Sequence, residues 1–133
     1  MLESVNLLVF NRRWGALFNL ILKQIFLRPR PVFPQAFLVD SGYSFPSGHT
    51  MISLVFYGAV AFLVLLTLKK RWNKFFVVLG FILISALIGF SRLYLGVHYL
   101  TDVLAGWAAG GLWLTVCILG DYLFNYSRKV ESK

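Results

Sequence analysis

The chain has 133 residues, 59% of them hydrophobic and 14% charged, whereas roughly a quarter of the residues of a soluble domain carry charge. That length bounds it to one domain. The net charge of +8 comes without a basic stripe interleaved with aromatics, which speaks against a nucleic-acid partner, and the single cysteine, Cys117, leaves no disulfide framework and no zinc set.

Residues 4–27 read as a first helix with an interruption. Trp14–Leu22 is apolar and ends at Lys23, and Val5–Phe10 is also apolar, but Asn11, Arg12 and Arg13 lie between them. From Trp14 to Leu27 a helix is about 21 Å long, short of the ~30 Å hydrocarbon core of a bilayer. Two readings stay open: the helix runs back to residue 4 with its arginines reaching the interface, or it is part of a longer one. Residues 28–46 form a loop, because Pro29, Pro31 and Pro34 forbid regular helix.

Three uncharged stretches follow, Met51–Leu68, Phe75–Ser91 and Val103–Gly120, and each has the length a spanning helix needs. None is N-terminal, so none is a cleavable signal peptide. Ser47 caps the second helix, which runs to about Leu68. Lys69–Lys74 is a tight basic turn with Trp72 at the interface. The third helix covers Phe75–Ser91 and a turn more, and Leu93–Val97 is a short connection containing Gly96. The fourth runs from His98 to Leu123; its small residues Ala105, Gly106, Ala108, Ala109, Gly110 and Gly111 allow close helix approach. The polar tail Asn125–Lys133 is expected to fray. The fold class is therefore an all-α integral membrane bundle, with three full transmembrane helices and a short or incomplete N-terminal one.

The charges sort by side. Arg12, Arg13, Lys69, Lys70, Arg71, Lys74, Arg128, Lys129 and Lys133 flank apolar segments on one side; Lys23, Arg28, Arg30 and Arg92 fall on the other. The positive-inside rule places the larger set in the cytoplasm. The end of helix one, both ends of the loop and the junction of helices three and four then meet at the outer face.

Three clusters lie there: Lys23 with Arg30 and Pro31; Pro46-Ser47-Gly48-His49; and Ser91-Arg92 followed by His98 and Asp102. They hold both histidines, three of the 13 basic residues and one of the five acids. Ionisable groups are costly at membrane depth and tend to mark function there. Taken singly, each has a plain structural use: a snorkelling cation, a turn with its helix cap, a local His–Asp hydrogen bond. Together they suit a phosphate ester. Lys23, Arg30 and Arg92 can bind phosphate oxygens, and Ser47-Gly48 opens a helix whose N–H groups favour an anion. His98 and Asp102, spaced i, i+4, share one helix face, so the carboxylate can hold one imidazole nitrogen and present the other as nucleophile. His49 is then the acid/base.

The spacing Lys23-x6-Arg30-Pro31, Pro46-Ser47-Gly48-His49, Ser91-Arg92-x5-His98-x3-Asp102 resembles the three-part signature of the type 2 phosphatidic acid phosphatase superfamily. Tyr43-Ser44-Phe45 and Tyr94-Leu95-Gly96-Val97 look like its bacterial membrane members. The resemblance implies dephosphorylation of a lipid phosphate through a phosphohistidine, with no metal and no other cofactor. It implies His98 as nucleophile, Asp102 as its orienting partner and His49 as proton donor to the leaving group, with Lys23, Arg30, Ser47, Gly48 and Arg92 holding the phosphate. The partners expected are membrane lipids and the lipid phosphate itself, and homo-oligomers are compatible with the chain. Its place would be the cell membrane, multi-pass, with the site facing outside.

Membrane members of that superfamily usually have about six spanning helices. The shortfall here is N-terminal to Lys23, so residues 1–133 are expected to form one phosphatase domain lacking those helices. Two other readings are a truncated, inactive fragment that needs a partner, and an enzyme like the vanadate-dependent haloperoxidases, which share the signature but are soluble.

Overall fold

The computed structural model describes residues 2–32 and 42–131, with side chains described for 14–32 and 42–123. Pro34, the middle of the predicted loop and the last two residues of the tail lie outside the described residues. The described residues form four helices: α1 (Leu2–Phe26), α2 (Gly48–Thr67), α3 (Arg71–Tyr94) and α4 (Leu100–Glu131). The all-α expectation is met, and among the described residues three spans are long and apolar enough to cross a membrane, Gly48–Thr67, Arg71–Tyr94 and Leu100–Leu123.

Several boundaries differ from the sequence reading. α1 is unbroken through Arg12 and Arg13, so the two arginines are carried within the helix. Its 25 residues span about 37 Å, and among the residues with described side chains Trp14–Phe26 forms an apolar section. α3 begins at Arg71, so the basic turn is shorter than Lys69–Lys74. Charged residues do not stop a helix; they only resist burial, and Arg71 and Lys74 are exposed in its first turn. α4 continues to Glu131, so most of the tail expected to fray is helical; it contains no Gly or Pro to end it. α4 starts at Leu100, leaving His98 two residues ahead of the helix.

α2 lies at the centre, in contact with all three other helices. Met51, Val55 and Ala59 on α2 are buried, as is Val103 on α4. α3 is peripheral, and Phe75, Phe76, Ile82, Leu83, Leu87 and Phe90 stay exposed along it. Such a surface is unfavourable in water and natural against lipid tails.

The α2–α4 contact is a backbone contact. A Cβ on Gly106 would lie 2.9 Å from the Ser47 carbonyl oxygen, and one on Gly110 would lie 2.9 Å from the Met51 carbonyl oxygen. Only glycine at both positions of this Gly-x-x-x-Gly pair lets the helices approach so closely. The approach sets the start of α2 beside the start of α4.

Gly106→Ala must push the two backbones apart, whereas Gly111 has nothing within 4 Å of its would-be Cβ. Thermal unfolding in detergent should show Gly106→Ala destabilised by about 1–3 kcal/mol and Gly111→Ala at or above wild type.

Candidate active site

The site is assembled from chain reversals. α1 ends where Leu27 turns left-handed, φ 46°, with its N–H on the Lys23 carbonyl at 3.0 Å. A non-glycine residue there is uncommon, and Pro29 keeps Arg28 out of the helical region. The chain therefore leaves α1 abruptly and carries Arg28 and Arg30 across to the start of α4. The returning segment is tied back: the Ser44 N–H donates to the Arg28 carbonyl at 2.8 Å and the Ser44 hydroxyl to the Pro29 carbonyl at 3.0 Å. The Lys23 ammonium donates to the Tyr43 carbonyl.

α2 starts at a true cap. The Ser47 hydroxyl oxygen accepts from the Thr50 N–H at 3.5 Å and from the Thr50 hydroxyl at 2.9 Å. The Ser47 N–H donates to the Asp102 carbonyl at 3.0 Å, which fixes the two helix starts to each other.

α3 gives way to α4 through Gly96, φ 71°, a left-handed turn that favours glycine. Tyr99 then stands at the N-cap position of α4, and Asp102 three residues on reaches back to its N–H at 2.9 Å. This is the acidic half of a capping box. The same carboxylate oxygen, Oδ2, lies 3.3 Å from His98 Nδ1. The His98–Asp102 contact expected from the sequence is present, but it is made at the cap and not along a helix face.

Asp102 is fully buried and His98 is 4% exposed. A carboxylate can only accept, so in the neutral imidazole Nδ1 carries the proton and Nε2 the lone pair. Nε2 faces the Arg30 guanidinium, with 3.4 Å to Nη1. Arg30 itself is held by donation to the Gly42 carbonyl at 3.1 Å and the Val97 carbonyl at 3.0 Å. Burial lowers the pKa of His98 below its usual value; Arg30 adds to this, Asp102 opposes it, and Lys23 contributes in the same sense as Arg30.

A cavity of about 580 Å³ opens in front of His98. Lys23, Arg30, Gly48, His49 and His98 line it, so five of the eight residues singled out by sequence meet there. Ile52 and Phe56 add an apolar wall one and two turns along α2, with Ser53 between them. Asp102 and Ser47 sit behind the cavity, buried. Arg92 does not line it; its Nε lies 3.3 Å from the Ser91 hydroxyl in the last turn of α3. The lining pairs cations with imidazoles and with an apolar flank, which suits an anionic headgroup on a hydrocarbon tail.

Sequence reasoning passed over Arg28, which it placed among the outward cations but gave no role. Its Nη1 lies 2.9 Å from Asp102 Oδ1 and donates to the Thr101 hydroxyl at 2.6 Å, and its guanidinium carbon is 4.2 Å from the Tyr99 ring centroid. The only sequence signal was its position two residues before Arg30, which says nothing of a partner 74 residues away.

The sequence model of the PAP2 superfamily matches residues 5–125. The chain is 39% identical over 107 residues to phosphatidylglycerophosphatase B of Bacillus subtilis, covering 78% of this chain and 50% of that protein. It is 38% identical over 115 residues to the undecaprenyl-diphosphatase of Sulfolobus acidocaldarius, covering 86% of this chain and 42% of the relative. The crystal structure of a transmembrane PAP2 type phosphatidylglycerolphosphate phosphatase from Bacillus subtilis superimposes with a TM-score of 0.76 at 34% identity, over 91% of this chain and 58% of that one. The chain thus spans about half the length of the curated relatives it matches.

A histidine whose folded pKa is depressed binds fewer protons than its unfolded counterpart below about pH 6.5. Stability therefore falls as pH drops through that range and is recovered above it. Unfolding in detergent should become easier between about pH 6.5 and 5, and His98→Asn should flatten that slope.

Proposed function

The chain belongs to the PAP2 superfamily, and we propose that it is a membrane phosphatase that hydrolyses a lipid phosphate monoester or pyrophosphate through a phosphohistidine. The observation that carries this reading is His98: one ring nitrogen on a buried carboxylate, the other facing a cavity with two cations and a second imidazole.

In this mechanism the substrate phosphate enters the cavity against Lys23 and Arg30, whose positive charges offset its negative charge. The first turn of α2, beginning at Gly48, adds N–H groups and the positive end of a helix dipole. Arg92 completes the cationic set once its side chain turns from Ser91 toward the phosphate. His98 Nε2 attacks phosphorus, the bond from phosphorus to the leaving oxygen breaks, and His49 delivers its proton to that oxygen. His49 then takes a proton from water, which attacks the phosphorus and releases phosphate from His98. Asp102 holds Nδ1–H and stabilises the imidazole as it gains positive charge. Ser47 acts through its cap, which holds the first turn of α2 in place.

The fixed cations neutralise the charge that grows on the phosphoryl oxygens, so the step needs no metal. The apolar wall of Ile52 and Phe56 supports a lipid as the substrate. Phosphatidic acid, phosphatidylglycerophosphate and polyprenyl pyrophosphate all meet these terms. The names of the relatives, a phosphatidylglycerophosphatase and an undecaprenyl-diphosphatase, point to the same class. The distribution of basic residues supports a cell-membrane protein whose site faces outside, and residues 1–133 act in it as one phosphatase domain.

Purified chain in detergent should release phosphate from dioctanoyl phosphatidic acid in excess chelator and be inhibited by vanadate. His98→Ala should lower turnover by at least about 10³-fold with helix content unchanged, and His49→Ala should cripple it while still allowing a phosphoenzyme from a good leaving group. Activity that disappears in chelator and returns with magnesium would defeat the metal-free mechanism; near-normal turnover by His98→Ala would defeat the nucleophile.

Orientation is testable apart from chemistry. In a Cys117→Ser background, a cysteine at the exposed Val32 should react with a membrane-impermeant thiol reagent in intact cells. One at Asn73 should react only after the membrane is opened; the reverse pattern would turn the site to the cytoplasm.

A further inference from the structure

Asp102 has two carboxylate oxygens and divides them. Oδ2 takes His98 Nδ1 at 3.3 Å and the Tyr99 N–H at 2.9 Å, while Oδ1 takes the Arg28 guanidinium at 2.9 Å. Arg28 is itself held on three sides. The Tyr99 ring lies 4.2 Å from its guanidinium carbon, the Thr101 hydroxyl accepts from it at 2.6 Å, and its own carbonyl receives the Ser44 N–H at 2.8 Å. The guanidinium does not line the cavity in front of His98; its contact with the pair is through the carboxylate.

We propose that Arg28 is a positioning residue for the His98–Asp102 pair: it occupies Oδ1, turns Oδ2 onto Nδ1, and offsets enough carboxylate charge to keep the imidazole unprotonated. The inference rests on the phosphatase reading for its catalytic consequence, but not for its electrostatics. With Oδ1 occupied, the carboxylate cannot rotate to offer His98 its other edge, and Nε2 is fixed toward the cavity. A carboxylate without Arg28 would leave its full charge beside the ring and favour the imidazolium, which has no lone pair with which to attack phosphorus. The balance is set by everything that faces His98: Asp102 from α4, Arg30 and Lys23 from the end of α1 and the segment after it, and His49 across the cavity from α2. Arg28 stands outside this set: it touches Asp102 and not the imidazole.

The test uses the full chain, labelled with ¹⁵N-histidine in detergent micelles, with His98 assigned by the signal lost in His98→Asn. In Arg28→Gln the His98 titration midpoint should rise by about one unit, and kcat on dioctanoyl phosphatidic acid should fall about 10²-fold with KM nearly unchanged. Arg28→Lys keeps the charge but not the planar fork; its midpoint should stay near wild type while kcat still falls about 10-fold. An unmoved midpoint in Arg28→Gln overturns the proposal, as does a raised KM at constant kcat, which would make Arg28 a direct phosphate ligand. If Arg28→Gln fails to fold, Arg28→Lys decides: wild-type turnover in that variant overturns the role of the fork. A shifted midpoint in a chain whose wild type hydrolyses nothing would leave the Arg28 inference standing and remove the phosphatase reading.

Discussion

A carboxylate with no exposure, that of Asp102, sits where α1 has just ended and α2 and α4 begin. Burying an isolated charge costs several kcal/mol even after relaxation, so the fold must bring partners to it. It brings the Arg28 guanidinium from beyond α1, the Tyr99 N–H from the cap of α4 and the His98 imidazole from the turn after α3. The Asp102 carbonyl meanwhile accepts the Ser47 N–H at the start of α2. One residue thus ties together the segments that carry all three signature clusters. Losing any one of these partners would leave charge or a polar group exposed to a low-dielectric interior.

Such a junction requires α2 and α4 to start side by side, and the glycines at 106 and 110 permit it. Helices in a bilayer gain little from hiding apolar surface from one another, since lipid is equally apolar. Close backbone packing has to supply the attraction. Gly106 lies against the Ser47 carbonyl and Gly110 against the Met51 carbonyl, so this backbone-to-backbone contact lies beside the site. α3 is peripheral, and its exposed phenylalanines and leucines face outward. The division is consistent with its part: α3 and the turn after it have only to deliver His98 to a frame that the other helices hold.

The cavity combines two kinds of recognition on one wall. Gly48 and His49 at the start of α2 belong to the polar end, and Ile52 and Phe56 further along the same helix to the apolar flank. Because i, i+4 and i, i+8 positions lie on one helical face, the polar and apolar parts of a lipid phosphate would be read along a single helix. The depressed pKa of His98 fits the same plan, since burial that excludes water also disfavours the imidazolium.

Much of this was legible along the chain. Uninterrupted apolar runs are reporters of partition into lipid, and they located α2, α3 and α4; the residue types and spacing of the clusters named seven of the residues now seen in or directly behind the cavity. The sequence was less informative where a local rule had two outcomes. Arg12 and Arg13 could have broken α1 or been carried within it, and charge alone does not stop a helix. The basic turn and the polar tail were drawn too long for the same reason. His98 was assigned to a helix face because an i, i+4 spacing satisfies a helix and a cap equally well. What the tertiary structure alone decided are pairings between distant residues, Arg28 with Asp102 and Arg30 with the far nitrogen of His98, and the place of Arg92 outside the cavity lining. Periodicity and composition record how each residue meets its neighbours and its solvent. Which cation reaches which carboxylate across 74 residues depends on ångström-scale distances, and these are set only when α2 and α4 close on their glycines.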